Sequence, residues 1–272
     1  MPVPSIIVLA GPACSGKTAL AAWLCRRMPQ PVAGVCTLCT GRGAAGAAFS
    51  LQDLMTGAVY PLPDAYETFG SAALRDALSQ NAPTVLVDEA GGLEHPIWRQ
   101  SVAALLQGTG QRVLTVQPED LPALQRLCED KDVRYIDLTE ASPAAVRAQL
   151  AREWPAPLHA GVSVRLFREE KCFGPGPMQL LELVGRTGSL HQAAAAMGMA
   201  YSKAWKMLGE LERQWGFAML ERHPDGSLLT PRAWELLHRY RALRWQAEHA
   251  VQQSFAQWFG DLEKEYNKTY SS

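Results

Sequence analysis

The sequence predicts two domains of different class: an α/β domain with a parallel sheet over residues 1–152, and a helix-rich domain over 162–272, joined by a linker at 153–161. Three observations carry this reading. Short continuous apolar runs alternate with helical segments through the first half, as in a parallel sheet covered on both faces. The alternation stops at EWPAPLHAG (153–161), where two prolines and a glycine interrupt regular structure. Beyond it, two helical stretches meet at a glycine and a strand–turn–strand follows, the order of another architecture.

The first half opens on SIIVLA (5–10), a buried strand ended by Gly11 and Pro12, and a helix is expected from Lys17 to Met28. VAGVCTLC (32–39) reads as a second strand. The β-compatible pieces between the glycines of GRGAAGAAFSLQDLMTGAVYPL read as a hairpin. SAALRDALSQ suits a helix capped by Ser71, and TVLVDE (84–89) is another buried strand. A helix over 96–107, the strand RVLTV (112–116), a helix over 119–129, the strand RYIDL and a helix over 142–153 complete the domain. After the linker, VSVRLF is strand-like.

Composition sets the class. Hydrophobic residues make up 47% and charged residues 19% of 272, the profile of a folded globular chain. Residues 1–150 carry 11 Lys/Arg against 14 Asp/Glu, net −3, and 151–272 carry 15 against 13, net +2. The second half thus has the sign a polyanionic partner requires. The six cysteines form no metal-finger array, and Cys36 and Cys39, three apart in a strand-like run, point to opposite faces. No basic segment leads into an apolar signal core, and no run reaches the ~20 apolar residues of a membrane span, so a cytoplasmic protein without a membrane partner is expected.

Residues 11–18, GPACSGKT, match G-x-x-x-x-G-K-[ST] between a buried strand and a helix. Gly11 and Gly16 let the loop curl so that backbone N–H groups converge. Gly11, Pro12, Ala13, Cys14, Ser15, Gly16, Lys17 and Thr18 are therefore the candidate cradle for a nucleotide such as ATP or GTP. Lys17 is expected to reach the β- and γ-phosphates, and the Thr18 hydroxyl to ligate Mg²⁺. The strand TVLVDE supplies a second element. Asp88 is the candidate magnesium-shell acid, and Glu89, one position on, is placed to orient or deprotonate an attacking water. Gln117, ending RVLTV, is either a γ-phosphate sensor or an ordinary polar strand end.

GPACSGKT, GVCT, DLMTG, VLVDEAGGLE and TVQ together resemble the small bacterial and archaeal nucleoside-triphosphatases of the P-loop class, over residues 3–150. The resemblance implies slow magnesium-dependent hydrolysis with little base selectivity, with Lys17 and Glu89 as catalytic residues and Asp88 and Thr18 on the metal. Glu94 aligns with the family's second acid. Gly91 and Gly92 stand where that motif has a basic residue.

GSLHQAAAAMGMAYSKAWKMLGELERQWG (188–216) has a helix-turn-helix layout. Ser189 is expected to cap a short helix, Ala193 to Ala196 permit close helix approach, and Gly198 allows the turn. On the second helix Ala204, Met207, Leu208 and Leu211 share an inward face, leaving Ser202, Lys203 and Lys206 outward. Candidate contacts to double-stranded DNA are Ser189, His191, Tyr201, Ser202, Lys203 and Lys206, with Arg222 and His223 near the tip of a Pro224–Gly226 wing turn. Thr230 and Pro231 start a long helix reaching Phe259.

FGPGPMQLLELV, TGSLHQAAAAMGMAYSKAW and LLTPRAWELLHRY resemble the DNA-binding domain of ModE, the molybdate-responsive winged-helix regulators related to LysR, over 162–245. The resemblance implies a homodimer through the C-terminal helix and molybdenum- or tungsten-related target genes. The wing is shortened to HPDG, and no oxyanion-binding domains follow the long helix in the sequence given, so molybdate sensing of that kind is not expected. The expected whole is a P-loop NTPase domain followed by a winged helix-turn-helix domain: a nucleotide-responsive transcription regulator. The alternatives are a triphosphatase or phosphotransferase of molybdenum-cofactor metabolism carrying an accessory winged helix, and a winged helix that docks protein.

Overall fold

The computed structural model describes residues 5–13, 15–43, 46–62, 65–154, 156, 158–223 and 226–270. The chain divides into two compact units, Met1–Leu38 with Ser50–His159, and Cys39–Phe49 with Ala160–Ser272. The second unit thus takes in Cys39–Phe49, which lies far upstream of the 153–161 segment.

Up to residue 153 the elements are β1 (Ile6–Ala10), α1 (Lys17–Cys25), β2 (Val32–Gly43), β3 (Gly46–Asp53), β4 (Val59–Pro61), α2 (Ser71–Ser79), β5 (Thr84–Val87), α3 (Pro96–Gln107), β6 (Gln111–Val116), α4 (Leu121–Leu127), β7 (Val133–Asp137) and α5 (Pro143–Glu153), of which β2 and β3 each run partly in the second unit. The seven strands form one sheet in the order β4-β3-β2-β5-β6-β1-β7. The pairs β2–β5, β5–β6, β6–β1 and β1–β7 are parallel, and β3–β4 is antiparallel. Every residue of β1 and β5 is buried, which is why both lack an alternating polar face. Ile6, Val8 and Ala10 pack on one side with Leu74, Trp98 and Leu105, whereas Ile7 and Leu9 pack on the other with Leu20, Leu24 and Leu150. The period of two in β1 therefore feeds two separate cores.

Two expectations change. The helix after the loop ends at Cys25, short of Met28, and Gln30 Nε2 donates to the carbonyls of Cys25 and Met28 beyond its end. The piece read as a hairpin does hold one, the antiparallel pair β3–β4, beside an extension of β2. Ser71 is no cap: a π-helical turn (Tyr66–Gly70) runs into α2, and the buried Ser71 hydroxyl donates back to the Tyr66 carbonyl at 2.9 Å.

In the second unit lie β8 (Leu166–Phe167), β9 (Lys171–Phe173), α6 (Pro175–Thr187), α7 (Leu190–Ala196), α8 (Tyr201–Trp215), β10 (Leu220–His223), β11 (Gly226–Leu229) and α9 (Pro231–Tyr270). VSVRLF contributes only Leu166 and Phe167 to a strand. The core joins Phe173, Leu181, Ala193, Ala204, Leu208 and Leu237 with Tyr240, whose hydroxyl donates to the Val164 carbonyl at 2.7 Å. Of the four alanines only Ala193 and Ala194 are buried; Ala195 and Ala196 lie on the solvent side of the turn. Thr230 Oγ1 accepts the Ala233 N–H at 3.1 Å, and Pro231 follows in the first helical position. The helix runs past Phe259 to Tyr270, since nothing after Gly260 breaks it. Among the described residues no helix is long and apolar enough to cross a membrane.

Candidate functional site

The loop after β1 begins where that strand leaves the sheet. A Cβ on Gly11 would lie 2.9 Å from Ser15 Oγ, and Gly16 has φ +91°, a conformation that glycine adopts without strain. Pro12 and Ala13 are exposed, Ser15, Gly16 and Thr18 are half-buried, and Lys17 is 5% exposed as the first residue of α1. Cys14 lies outside the described residues. Lys17 Nζ donates to the carbonyls of Gly11 at 2.6 Å and Pro12 at 3.0 Å, so its ammonium is folded over the loop. The hydroxyl of Ser15 is buried with no protein partner.

Asp88, 1% exposed, is the hub. Its Oδ1 accepts from the Thr18 hydroxyl at 3.0 Å and the Thr115 hydroxyl at 2.8 Å, and its Oδ2 from the Thr37 N–H at 3.2 Å. The Thr37 hydroxyl donates to the Asp88 carbonyl at 2.8 Å, and the Glu89 N–H to Thr115 Oγ1 at 2.7 Å. Topology explains the set, because β6 lies between β5, which leads to the acids, and β1, which leads to the loop. Thr115 on β6 is therefore the bridge between them. Sequence reasoning missed both threonines; the available signal was a hydroxyl among apolar strand residues in LTV and VCTLC.

Glu89 has φ +66°, a left-handed conformation that strains a residue bearing a Cβ and that concentrates at functional sites. Burial pushes its carboxyl pKa above the ordinary glutamate value, and the negative charges of Asp88 and Asp120 push it the same way. Lys17 and a hydrogen bond from Gln117 act against the rise. Glu89 Oε1 is buried without a protein partner. Gln117 thus lies close to the acid. Glu94 points outward, its carboxylate 75% exposed and 3.7 Å from His95. The clustered oxygens of Thr18 and Asp88 are hard donors of the kind magnesium takes, and the unpartnered Ser15 and Glu89 oxygens leave capacity for a ligand or water. The residues present fit magnesium and a polyphosphate.

In the second unit, Ser189 Oγ accepts the Gln192 N–H at 3.3 Å as the cap of α7, which commits that lone pair to the helix. Gly198, φ +64°, makes the turn to α8. Ala204, Leu208 and Leu211 face the core, with Met207 half-buried beside them. Ser202, Lys203, Lys206, His191 and Arg222 are exposed, as is Tyr201. His223 ends β10, but its side chain lies outside the described residues, as do Pro224 and Asp225. Trp205, absent from the sequence reading, is 42% exposed next to Tyr201. Its i,i+4 spacing from Tyr201 was the signal that could have found it.

Residues 177–234, from α6 to the start of α9, match the family described as bacterial regulatory helix-turn-helix protein, lysR family. The second unit therefore carries a LysR-type helix-turn-helix. The crystal structure of THEP1 from the hyperthermophile Aquifex aeolicus aligns with 55% of this chain and 99% of its own length, at 16% identity and a TM-score of 0.44. No curated protein matches the chain.

Proposed function

We propose that this chain is a nucleotide-responsive DNA-binding transcription regulator. Its glycine loop holds a nucleoside triphosphate such as ATP or GTP, and its winged helix-turn-helix reads an operator as a homodimer in the cytoplasm. The observation that carries the nucleotide half is the Thr18–Asp88 contact at 3.0 Å with the strained, half-buried Glu89 beside it. Thr18 and Asp88 would hold magnesium, which supplies charge neutralisation to the phosphates when bound. Lys17 exchanges its two loop carbonyls for phosphate oxygens. Glu89, ionised, accepts a proton from water at Oε1, and Gln117 steadies its carboxylate.

Strand β2 supports coupling between the two activities. Thr37 on this strand holds Asp88, and the strand then continues into the second unit. There the Cys39 carbonyl accepts from Arg241 Nη1 at 2.8 Å, and Arg42 Nη1 donates to the Arg186 carbonyl at 2.7 Å. Coupling would run through this strand, which holds Asp88 at Thr37. Dimerisation is supported by Phe255, Trp258, Phe259 and Leu262, spaced i, i+3, i+4 and i+7 on α9, with the last three exposed. The resemblance to ModE adds molybdenum- or tungsten-related genes as targets.

The test is DNA affinity at fixed salt with and without ATP, GTP and their diphosphates, alongside Lys17→Ala. A change of about 5- to 150-fold on nucleotide addition, absent in Lys17→Ala, is expected for a coupling of 1–3 kcal/mol. Identical affinities in every nucleotide state would overturn regulation. A second reading, a triphosphatase or phosphotransferase with an accessory winged helix, draws on the buried acid at Glu89. Multiple-turnover hydrolysis lost in Lys17→Ala, without selection of any DNA sequence, would favour it.

A further inference from the structure

Two large aromatic side chains on the helix-turn-helix are left outside the packing of their own unit. Tyr201 and Trp205 are 43% and 42% exposed, although the inward face of α8 is already filled by Ala204, Leu208 and Leu211. Their rings meet edge to face with centroids 6.2 Å apart, and His191 of α7 closes on Tyr201 at 5.8 Å. The pair is therefore held in a defined arrangement before any partner arrives, which lowers the ordering cost of contact. It forms one wall of a groove of about 390 Å³ whose opposite wall is the wing, at Leu220, Arg222 and Ser227.

The surroundings choose the occupant. Arg222 lines the groove, and exposed Lys203 and Lys206 stand elsewhere on α8; this charge suits a phosphate backbone and not an apolar protein helix. Glu212 and Glu221 line the same groove, and Glu212 is engaged by the Met219 N–H at 2.8 Å. Their carboxylates disfavour a phosphate inside the groove, so the feature presented there is the edge of a base. Thymine alone among the DNA bases carries a methyl group in the major groove. Polar and charged side chains cannot gain from that methyl; an exposed indole and phenol ring can.

We propose that Tyr201 and Trp205 form an apolar ledge that reads thymine 5-methyl groups, making them specificity-determining residues of the DNA-binding surface, while Lys203 and Lys206 supply sequence-independent attraction. This rests on the DNA-binding reading above.

The experiment selects duplexes from random DNA with the full chain, then replaces each thymine of the selected site in turn by deoxyuridine, which lacks only the methyl. Loss of about fourfold in affinity is expected at one or two positions, the equivalent of about 0.8 kcal/mol for one buried carbon group. Trp205→Ala is expected to bind the thymine and deoxyuridine duplexes equally at those positions, with the slope of affinity against salt unchanged. Trp205→Gln serves as a second variant, and the wild-type comparison decides without either. A selected site indifferent to every deoxyuridine, or a Trp205→Ala protein that keeps the full methyl discrimination, overturns the ledge alone. If no duplex is selected, the DNA-binding reading falls and the ledge falls with it.

Discussion

The two units hold their functional side chains under opposite conditions. Around the glycine loop, Lys17 and Asp88 are 5% and 1% exposed, and both are held by hydrogen bonds within the protein. On α8 the lysines stand free in solvent and the aromatic pair is nearly half exposed. The partners proposed for the two units would account for the difference. Polyphosphate chemistry gains from donors and acids preorganised in a site of low dielectric, where they need not reorganise during reaction. A duplex gains from mobile cations, which bind by releasing counterions and require little pre-arrangement. The first site is thus coupled to the stability of its unit, and the second is largely uncoupled from it.

The largest effect that tests this contrast is expected at Glu89. Glu89→Gln should lower nucleotide turnover by about 10²–10⁴-fold, the usual cost of removing a general base, as measured by phosphate release. The same variant should raise the thermal midpoint at neutral pH. Because the folded-state pKa of Glu89 is raised, its favourable contribution is complete below the unfolded glutamate pKa and is lost as pH rises through the folded value. The uncharged amide removes that loss. Turnover of the wild type should fall on acidification with a midpoint above the ordinary glutamate range. A Glu89→Gln protein less stable than wild type at neutral pH would break the proposed opposition between activity and stability.

A smaller effect sharpens the comparison within the second unit. Ser189, expected both to cap α7 and to contact DNA, does cap that helix through its hydroxyl oxygen. Ser189→Ala should cost about 1 kcal/mol in denaturant unfolding, and Ser189→Asp should restore most of it, since either side chain can accept the amide. The smallest effects belong to the exposed lysines. Lys203→Ala and Lys206→Ala should each reduce the slope of log affinity against log salt by about 1, with unfolding unchanged within ~0.5 kcal/mol. A marked loss of stability in either would show that α8 is less independent of its cations than its exposure implies.

Much of both sites was legible because the signals are short in sequence. The loop is eight contiguous residues between a strand and a helix, and Lys17 does begin α1. Asp88 and Glu89 directly follow β5 as the apolar run required. The turn at Gly198, the start of α8 at Tyr201 and the Thr230–Pro231 helix start are likewise local, and all three stand where spacing put them. What was missed depends on neighbours far along the chain. Thr37 is 51 residues from Asp88 and Thr115 is 27. Their meeting follows from strand order, which apolar runs leave open. Ser71 was misread for a related reason: a capping residue type before a helical pattern carries no notice that the chain is already helical upstream.

From its sequence alone this protein could be assigned its helices, its buried strands, its glycine loop and its paired helices, because backbone preference and side-chain period act over a few residues. Tertiary structure decided which hydroxyls surround Asp88, that β6 separates the acids from the loop, that Cys39–Phe49 belongs to the second unit, and that Trp205 is left exposed. Each of these depends on which distant segments pack together. That choice is made by the burial of whole faces and by strand pairing, and no local stretch of chain contains it.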